Sequence, residues 1–309
     1  MTTGEPRAHH YVPQCWLAGF TDNGEKTGTL WVTDLERKKQ WQTTPPNAGH
    51  ERDFYRVSEV GLDPVLFEKQ FSKIESDIAP LLKELYTKPR WPTPEELAEL
   101  EVFIALQYIR VPAFRPIVLR MAERIHRLLM RKALKSPATW EKTLNEASIP
   151  LDSEGADYNK MRAFEQSGEY SLVVGNAWFL VQGFKAAVDA IIPSLEKRYW
   201  GALLSTTGSF VASDNPVMLD GPKGKIGFES AGVILFSLNK HILLCGTQSS
   251  QPPPRITYNL IARHNTFAIM NAQYIYSAAP NFCWLDENDK VQHDWQLFDR
   301  AKFPSPFAV

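Results

Sequence analysis

Between residues 65 and 192 the apolar residues of this 309-residue chain recur at helical spacing. On either side they fall into short runs, alternating or wholly apolar, separated by turn residues. A hydrophobic period that switches twice in this way fits an α+β fold, with a helical middle region packed with β-hairpins from the N-terminal and C-terminal parts. The expectation is a single globular domain over 1–309, with a helical subregion at about 65–192 and β-rich subregions at about 8–55 and 200–278.

Within the middle region, Val65 to Tyr86 carries Phe67, Phe71, Ile74, Ile78, Leu81, Leu82 and Leu85 at a helical period. Thr93-Pro94-Glu95-Glu96 opens a second helix as a capping box, and Pro112 ends it near Arg110. Pro116 to Lys135 is a third, with Ile117, Met121, Ile125, Leu128 and Leu129 on the side expected to be buried. Residues 136–170 read as a surface loop with short helical pieces, and Leu172 to Ile192 as a core helix centred on Trp178 and Phe179. Hairpins are expected for Leu30–Thr33 with Gln40–Thr43, Trp200–Leu204 with Phe210–Ser213, and Val233–Leu238 with Ile242–Cys245. Gln251-Pro252-Pro253-Pro254 is a stiff break, 263–273 has helical spacing, Tyr274–Ser277 is one more strand, and the tail from Ala279 drapes over the body.

Bulk properties narrow the function. A net charge of -1 implies no global attraction to nucleic acid or membrane, so a polyanion site must be a local patch. Cys15, Cys245 and Cys283 are odd in number and widely spaced, against a disulfide framework or a thiolate zinc site. With no signal peptide and no segment of spanning length, the expectation is a cytoplasmic protein without membrane contact. Phosphate-binding Gly-x-x-x-x-Gly-Lys-Ser/Thr and Gly-x-Gly-x-x-Gly loops, a Gly-x-Ser-x-Gly elbow and His-Glu-x-x-His are all absent from the sequence.

Two stretches concentrate polar chemistry: His9-His10-Tyr11-Val12-Pro13-Gln14 ahead of Phe20, and Ser213-Asp214-Asn215-Pro216-Val217 after Phe210. With Asp53-Phe54-Tyr55 and with Gln107, Arg110 and Pro112, they resemble the uncharacterised bacterial domain family numbered 4238 among domains of unknown function, over roughly residues 8 to 278. The resemblance implies no particular activity.

The residues themselves suggest candidates. His9 and His10 are candidate catalytic groups, as proton-transfer residues or metal ligands, although neighbours on an extended segment point to opposite faces. The alternative is a histidine that anchors the N-terminus. Asp214 and Asn215 are candidate catalytic residues, Asp214 also as ligand of a divalent metal ion, the candidate cofactor; Asp, Asn and Ser are equally common turn-formers. Gln14 is a candidate substrate contact, as are Gln107 and Arg110, which share a helix face; Arg110 suits a phosphate clamp or a structural ion pair. Arg120, Arg124, Arg127 and Arg131 form a stripe along one helix, with Arg124 and Arg127 the candidate contacts to RNA or DNA. Cys15, beside Gln14 and Trp16, reads as a small buried hydrophobe.

Two functions follow as expectations. One is a hydrolase of a phosphodiester, a nuclease acting on RNA or DNA through a His/Asp/Asn/Arg site. The other is a non-catalytic binding or regulatory module whose motifs are structural, with polar residues hydrogen-bonded inside the body.

Overall fold

The structure, a computed structural model, describes residues 7–58, 61–221, 227–250 and 255–303; the proline run at 251–254 lies outside them. Its described strands are β1 (Ala8–His10), β2 (Leu30–Asp34), β3 (Lys39–Thr43), β4 (His50–Arg52), β5 (Tyr199–Leu204), β6 (Ala212–Ser213), β7 (Val217–Asp220), β8 (Val233–Asn239), β9 (Ile242–Thr247), β10 (Tyr274–Ser277), β11 (Trp284–Leu285) and β12 (Val291–Gln292). The helices are α1 (Gln14–Leu17), α2 (Leu66–Thr87), α3 (Pro94–Ile109), α4 (Arg115–Ala133), α5 (Pro137–Glu146), α6 (Tyr158–Ser167), α7 (Asn176–Ala186), α8 (Ile192–Leu195) and α9 (Tyr258–Asn271). The fold is α+β. It divides into two compact units, one of residues 1–114 and 176–309, the other of Arg115–Gly175.

The larger unit holds two four-stranded antiparallel sheets, ordered β3-β2-β10-β6 and β5-β9-β8-β7. The β2–β3 hairpin forms as its alternation predicts, with Leu30 opposite Thr43 and Asp34 opposite Lys39. The β8–β9 hairpin also forms, because the Asn239 Oδ1 accepts from the backbone N–H of His241 at 2.8 Å and Ile242 at 3.1 Å and so closes the turn. The hairpin expected between Trp200–Leu204 and Phe210–Ser213 does not form: β5 pairs with β9, and β6 with β10. The intervening turn is real, with the Ser205 hydroxyl bonded to Gly208 O at 2.7 Å, yet it carries the chain from one sheet into the other. Six residue pairs with β9 outcompete the local partner.

Helices follow local signals more closely. Thr93 caps α3 as expected, its Oγ1 accepting from Glu96 N–H at 3.3 Å while Glu96 Oε2 accepts from Thr93 N–H at 2.8 Å. The expected 172–192 helix starts at Asn176 and passes through a π turn at Ala187–Ile191 into α8. It buries Ala177, Phe179, Leu180 and Gly183, while Trp178 faces outward. The tail does more than drape: Phe282, Trp284, Trp295 and Phe298 enter a core with Val211, Met218, Ile269 and Ile275. Apolar tail surface of this size is buried because aromatic rings have no better refuge from water.

The smaller unit packs Trp140 and Leu144 of α5 against Ala133, Leu134 and Ala156, and the Trp140 indole N–H donates to Ala156 O at 2.6 Å. Its helix α4 contradicts the expected burial. The side that carries Ile117, Met121, Ile125, Leu128 and Leu129 is exposed, and α4 buries Val118, Ala122 and Ala133 instead. Small side chains let a helix approach its neighbours closely, and tertiary packing chose that side over the bulkier one.

Candidate functional site

The first polar motif is built by strand pairing. β1 runs antiparallel to β4, with His9 opposite Glu51 and His10 opposite His50. Alternation along β1 sends His9 inward, fully buried, and leaves His10 half-buried, as the sequence predicts. Beyond β1 the Val12 N–H donates to Gly49 O at 3.0 Å. Gly49 has a positive φ of 62°, and a Cβ there would sit 2.6 Å from Val12 Cβ, so glycine is required on both counts. The motif then turns into α1, where the Trp16 indole N–H reaches Ser237 O at 2.9 Å and its ring stacks on Phe236.

Arg110 is the hub of the site. It is buried at the end of α3, where its guanidinium pairs with Glu75 at 2.8 Å, donates to His10 O and lies 4.4 Å above the Phe71 ring. The Tyr55 hydroxyl donates to Arg110 O at 2.7 Å, and the Tyr55 N–H donates to His9 Nδ1 at 2.9 Å. His9, Tyr55 and Arg110 therefore form one hydrogen-bonded chain, and three of the four sequence motifs meet in it. A buried guanidinium persists because carboxylate, carbonyl and ring face together replace its water. Arg110 holds its charge above the ordinary value despite burial, through Tyr55 and Glu75.

His10 joins this cluster through its backbone carbonyl, while its ring turns the other way, against Pro46 and His50. The His10 Nε2 lies 3.1 Å from Pro46 O, which can only accept, so Nε2 carries the proton; the Gln14 amide nitrogen lies beside the ring edge, 3.3 Å from Nε2 and 3.4 Å from Nδ1. Burial pushes its pKa down to about 4; the bond to Pro46 O opposes this, and neighbouring His50, Arg110 and Lys26 push the same way as burial. The imidazole is uncharged near neutrality. Cys15 is pushed up to about 12 by burial, so it is a thiol and a weak nucleophile there.

Two carboxylates escaped the sequence reasoning. Glu68 and Glu75 stand seven residues apart on α2, and so on one helix face, a spacing visible in the sequence but overlooked beside the apolar period. Glu75 neutralises Arg110. Glu68 feels both: its pKa is pushed up to about 7, first by burial and then by Glu75, with Arg110 opposing. Among the described residues its Oε2 is buried without a hydrogen-bond partner, as are both amide atoms of Gln107 on α3. Unsatisfied buried polar groups are costly and rare.

The second motif borders the first at Tyr11 rather than at the histidines. The Asp214 Oδ1 accepts from the backbone N–H of Gln273 at 3.0 Å and Tyr274 at 3.1 Å, and the Asn215 side-chain amide donates to Asn271 O at 3.1 Å. Both residues brace the turn from α9 into β10. Burial pushes Asp214 up to about 6, although its two backbone donors oppose this. The electrostatic neighbours of Asp214 include Tyr11 of the first motif, beside Tyr276, and the side-chain bonds of Asp214 and Asn215 run to the backbone of Asn271, Gln273 and Tyr274. The described residues contain no group of three or more His, Cys, Asp or Glu placed to hold a metal ion. Arg124 and Arg127 belong to the smaller unit, where they line shallow depressions along α4.

One further pair resembles a catalytic dyad. Ser237 Oγ lies 2.6 Å from His264 Nε2, but both residues are buried and His264 is pushed down to about 3 by desolvation. Such a histidine is a poor base and out of reach of solvent.

A family model described as "Protein of unknown function (DUF4238)" matches residues 8–283. The chain belongs to that family. The matched span contains every residue of the His10–Arg110 cluster and both polar motifs. No curated protein and no solved structure matches the chain.

Proposed function

We propose that this member of DUF4238 is a hydrolase of phosphodiesters, with RNA its substrate, working by acid–base chemistry at the cluster of His10, Gln14, Glu68, Glu75 and Arg110. The observation that carries the reading is Glu68, a carboxyl near pKa 7 with a buried oxygen that has no hydrogen-bond partner among the described residues. A carboxyl that keeps its proton about half the time at neutrality is poised to serve as a general acid. With Glu68 protonated, the cationic Arg110 and Lys26 side chains felt by His10 favour an anion there. A phosphate at His10 would meet the Gln14 amide. Attack by the RNA 2′-hydroxyl on phosphorus, its proton passing to the unprotonated ring nitrogen of His10, breaks the bond to the leaving 5′-oxygen and leaves a 2′,3′-cyclic phosphate, while Glu68 delivers the proton that this oxygen needs. No step requires a metal ion.

The test is cleavage of matched RNA and DNA oligonucleotides, with and without a chelator, between pH 5 and 9. RNA should be cut in chelator, the 2′-deoxy strand should not, and the rate should fall above pH 7. Glu68→Gln should lose about 10²-fold or more of the rate. Absence of RNA cleavage by the parent protein, or full cleavage by Glu68→Gln, overturns the assignment.

A second reading is a binding module whose motifs are structural. It is favoured by His9, Asp214 and Asn215, all hydrogen-bonded to backbone. A folded parent protein inactive on RNA, and stabilised by Glu68→Gln, would select it.

A further inference from the structure

Helix α4 turns bulky apolar side chains to the outside. Ile117, Met121, Ile125, Leu128 and Leu129 are 38%, 43%, 46%, 57% and 61% exposed. At 100° per residue they occupy one sector of about 120°, and Arg120, Arg124, Arg127 and Arg131 fill an adjoining sector of about 60°. None of these four arginines has an acid at ion-pair distance among the described residues. Of the twenty large apolar side chains exposed among the described residues, nine fall within Arg115–Gly175, about a fifth of the chain. An exposed apolar stripe with a cationic flank is concentrated in this unit.

We propose that α4 is an interfacial helix that seats the protein on an anionic lipid surface. The five apolar side chains enter the boundary between headgroups and acyl chains, and the arginines extend to lipid phosphates and carboxylates. Charge complementarity decides among occupants. A nucleic acid would pair the arginines and leave Ile125, Leu128 and Leu129 in water. A second copy would cover the apolar sector but bring a like-charged helix, since α4 carries six Lys and Arg against Glu123 alone. An anionic bilayer satisfies both sectors. Among the described residues no single helix is long and apolar enough to cross a membrane, and lying on one requires none. The proposal does not rest on the hydrolase reading.

The experiment is flotation of the full chain with vesicles of phosphatidylcholine alone and of phosphatidylcholine with phosphatidylserine. The parent protein should float with the anionic vesicles and at least tenfold less with the neutral ones. Leu128→Ser/Leu129→Ser and Arg124→Glu/Arg127→Glu should each lower anionic-vesicle partitioning at least tenfold, with unchanged melting curves. If a pair perturbs folding, Met121→Gln/Ile125→Gln replaces it, both side chains being well exposed. Failure of the parent to float overturns the proposal. So does loss on charge reversal alone, with binding to a single-stranded oligonucleotide instead. A dimer dispersed by the leucine substitutions, without vesicle binding, overturns it as well.

Discussion

Glu68→Gln separates stability from function at one atom. In the folded chain the Glu68 pKa rises from the ordinary 4.5 to about 7. A carboxyl whose folded pKa is raised contributes stability that is present below pH 4.5 and lost as pH rises through about 7. The whole difference corresponds to roughly 3 kcal/mol, and partial solvent access reduces it to about 1.5 kcal/mol. Glutamine keeps the shape and removes the ionisation. The substituted protein should therefore be more stable than the parent at pH 8, with a Tm higher by roughly 2–5 °C, and nearly equal to it at pH 4. Denaturant midpoints and thermal melts of both proteins at the two pH values give the answer. The same substitution should lower RNA cleavage by about 10²-fold or more, the pattern of a functional group held at a cost to stability. A stability difference that does not change between pH 4 and pH 8 would refute the reasoning, because Glu68 would then ionise as it does in the unfolded chain.

Arg110→Met should destabilise by about 3–5 kcal/mol, read from denaturant unfolding, because it strands Glu75 and removes a donor to His10 O. Replacing Glu75 as well, in Glu75→Leu/Arg110→Met, should recover part of that loss. Asp214→Asn should be as stable as the parent or more so at pH 8, since it keeps an oxygen for the Gln273 and Tyr274 N–H groups and sheds a buried carboxylate. Asp214→Ala should lose about 1–3 kcal/mol by leaving those donors unpaired, and the parent's turnover should survive Asp214→Asn. His10 has a folded pKa of about 4, so its contribution to stability is present above pH 6.5 and is lost as pH falls toward 4. Acid titrations of unfolding should show a shallower decline between those limits for His10→Gln. Trp16→Ala should cost about 3–5 kcal/mol, because it removes a fully buried ring stacked on Phe236.

What the sequence determined by itself is whatever rests on residues close along the chain. The α3 capping box, the Asn239 turn and the opposite facing of His9 and His10 depend on neighbours within a few positions, and each stands in the fold. The helical middle and the α+β class follow from period alone. Only the tertiary structure decided which partner each element met. The turn at Ser205–Gly208 was legible, but that β5 would pair with β9 was not, since register between distant strands depends on what else competes for each edge. The apolar row of α4 was legible too, and a period cannot say whether a row faces a core, a lipid or water. The site was partly readable in the same sense. His10, Gln14 and Arg110 were visible as polar residues in apolar surroundings, but the assembly of Arg110 with Glu75, and the isolation of Glu68, arise where α1, α2 and α3 meet. Burial sets a carboxyl's affinity for its proton, and burial is a property of the packed chain.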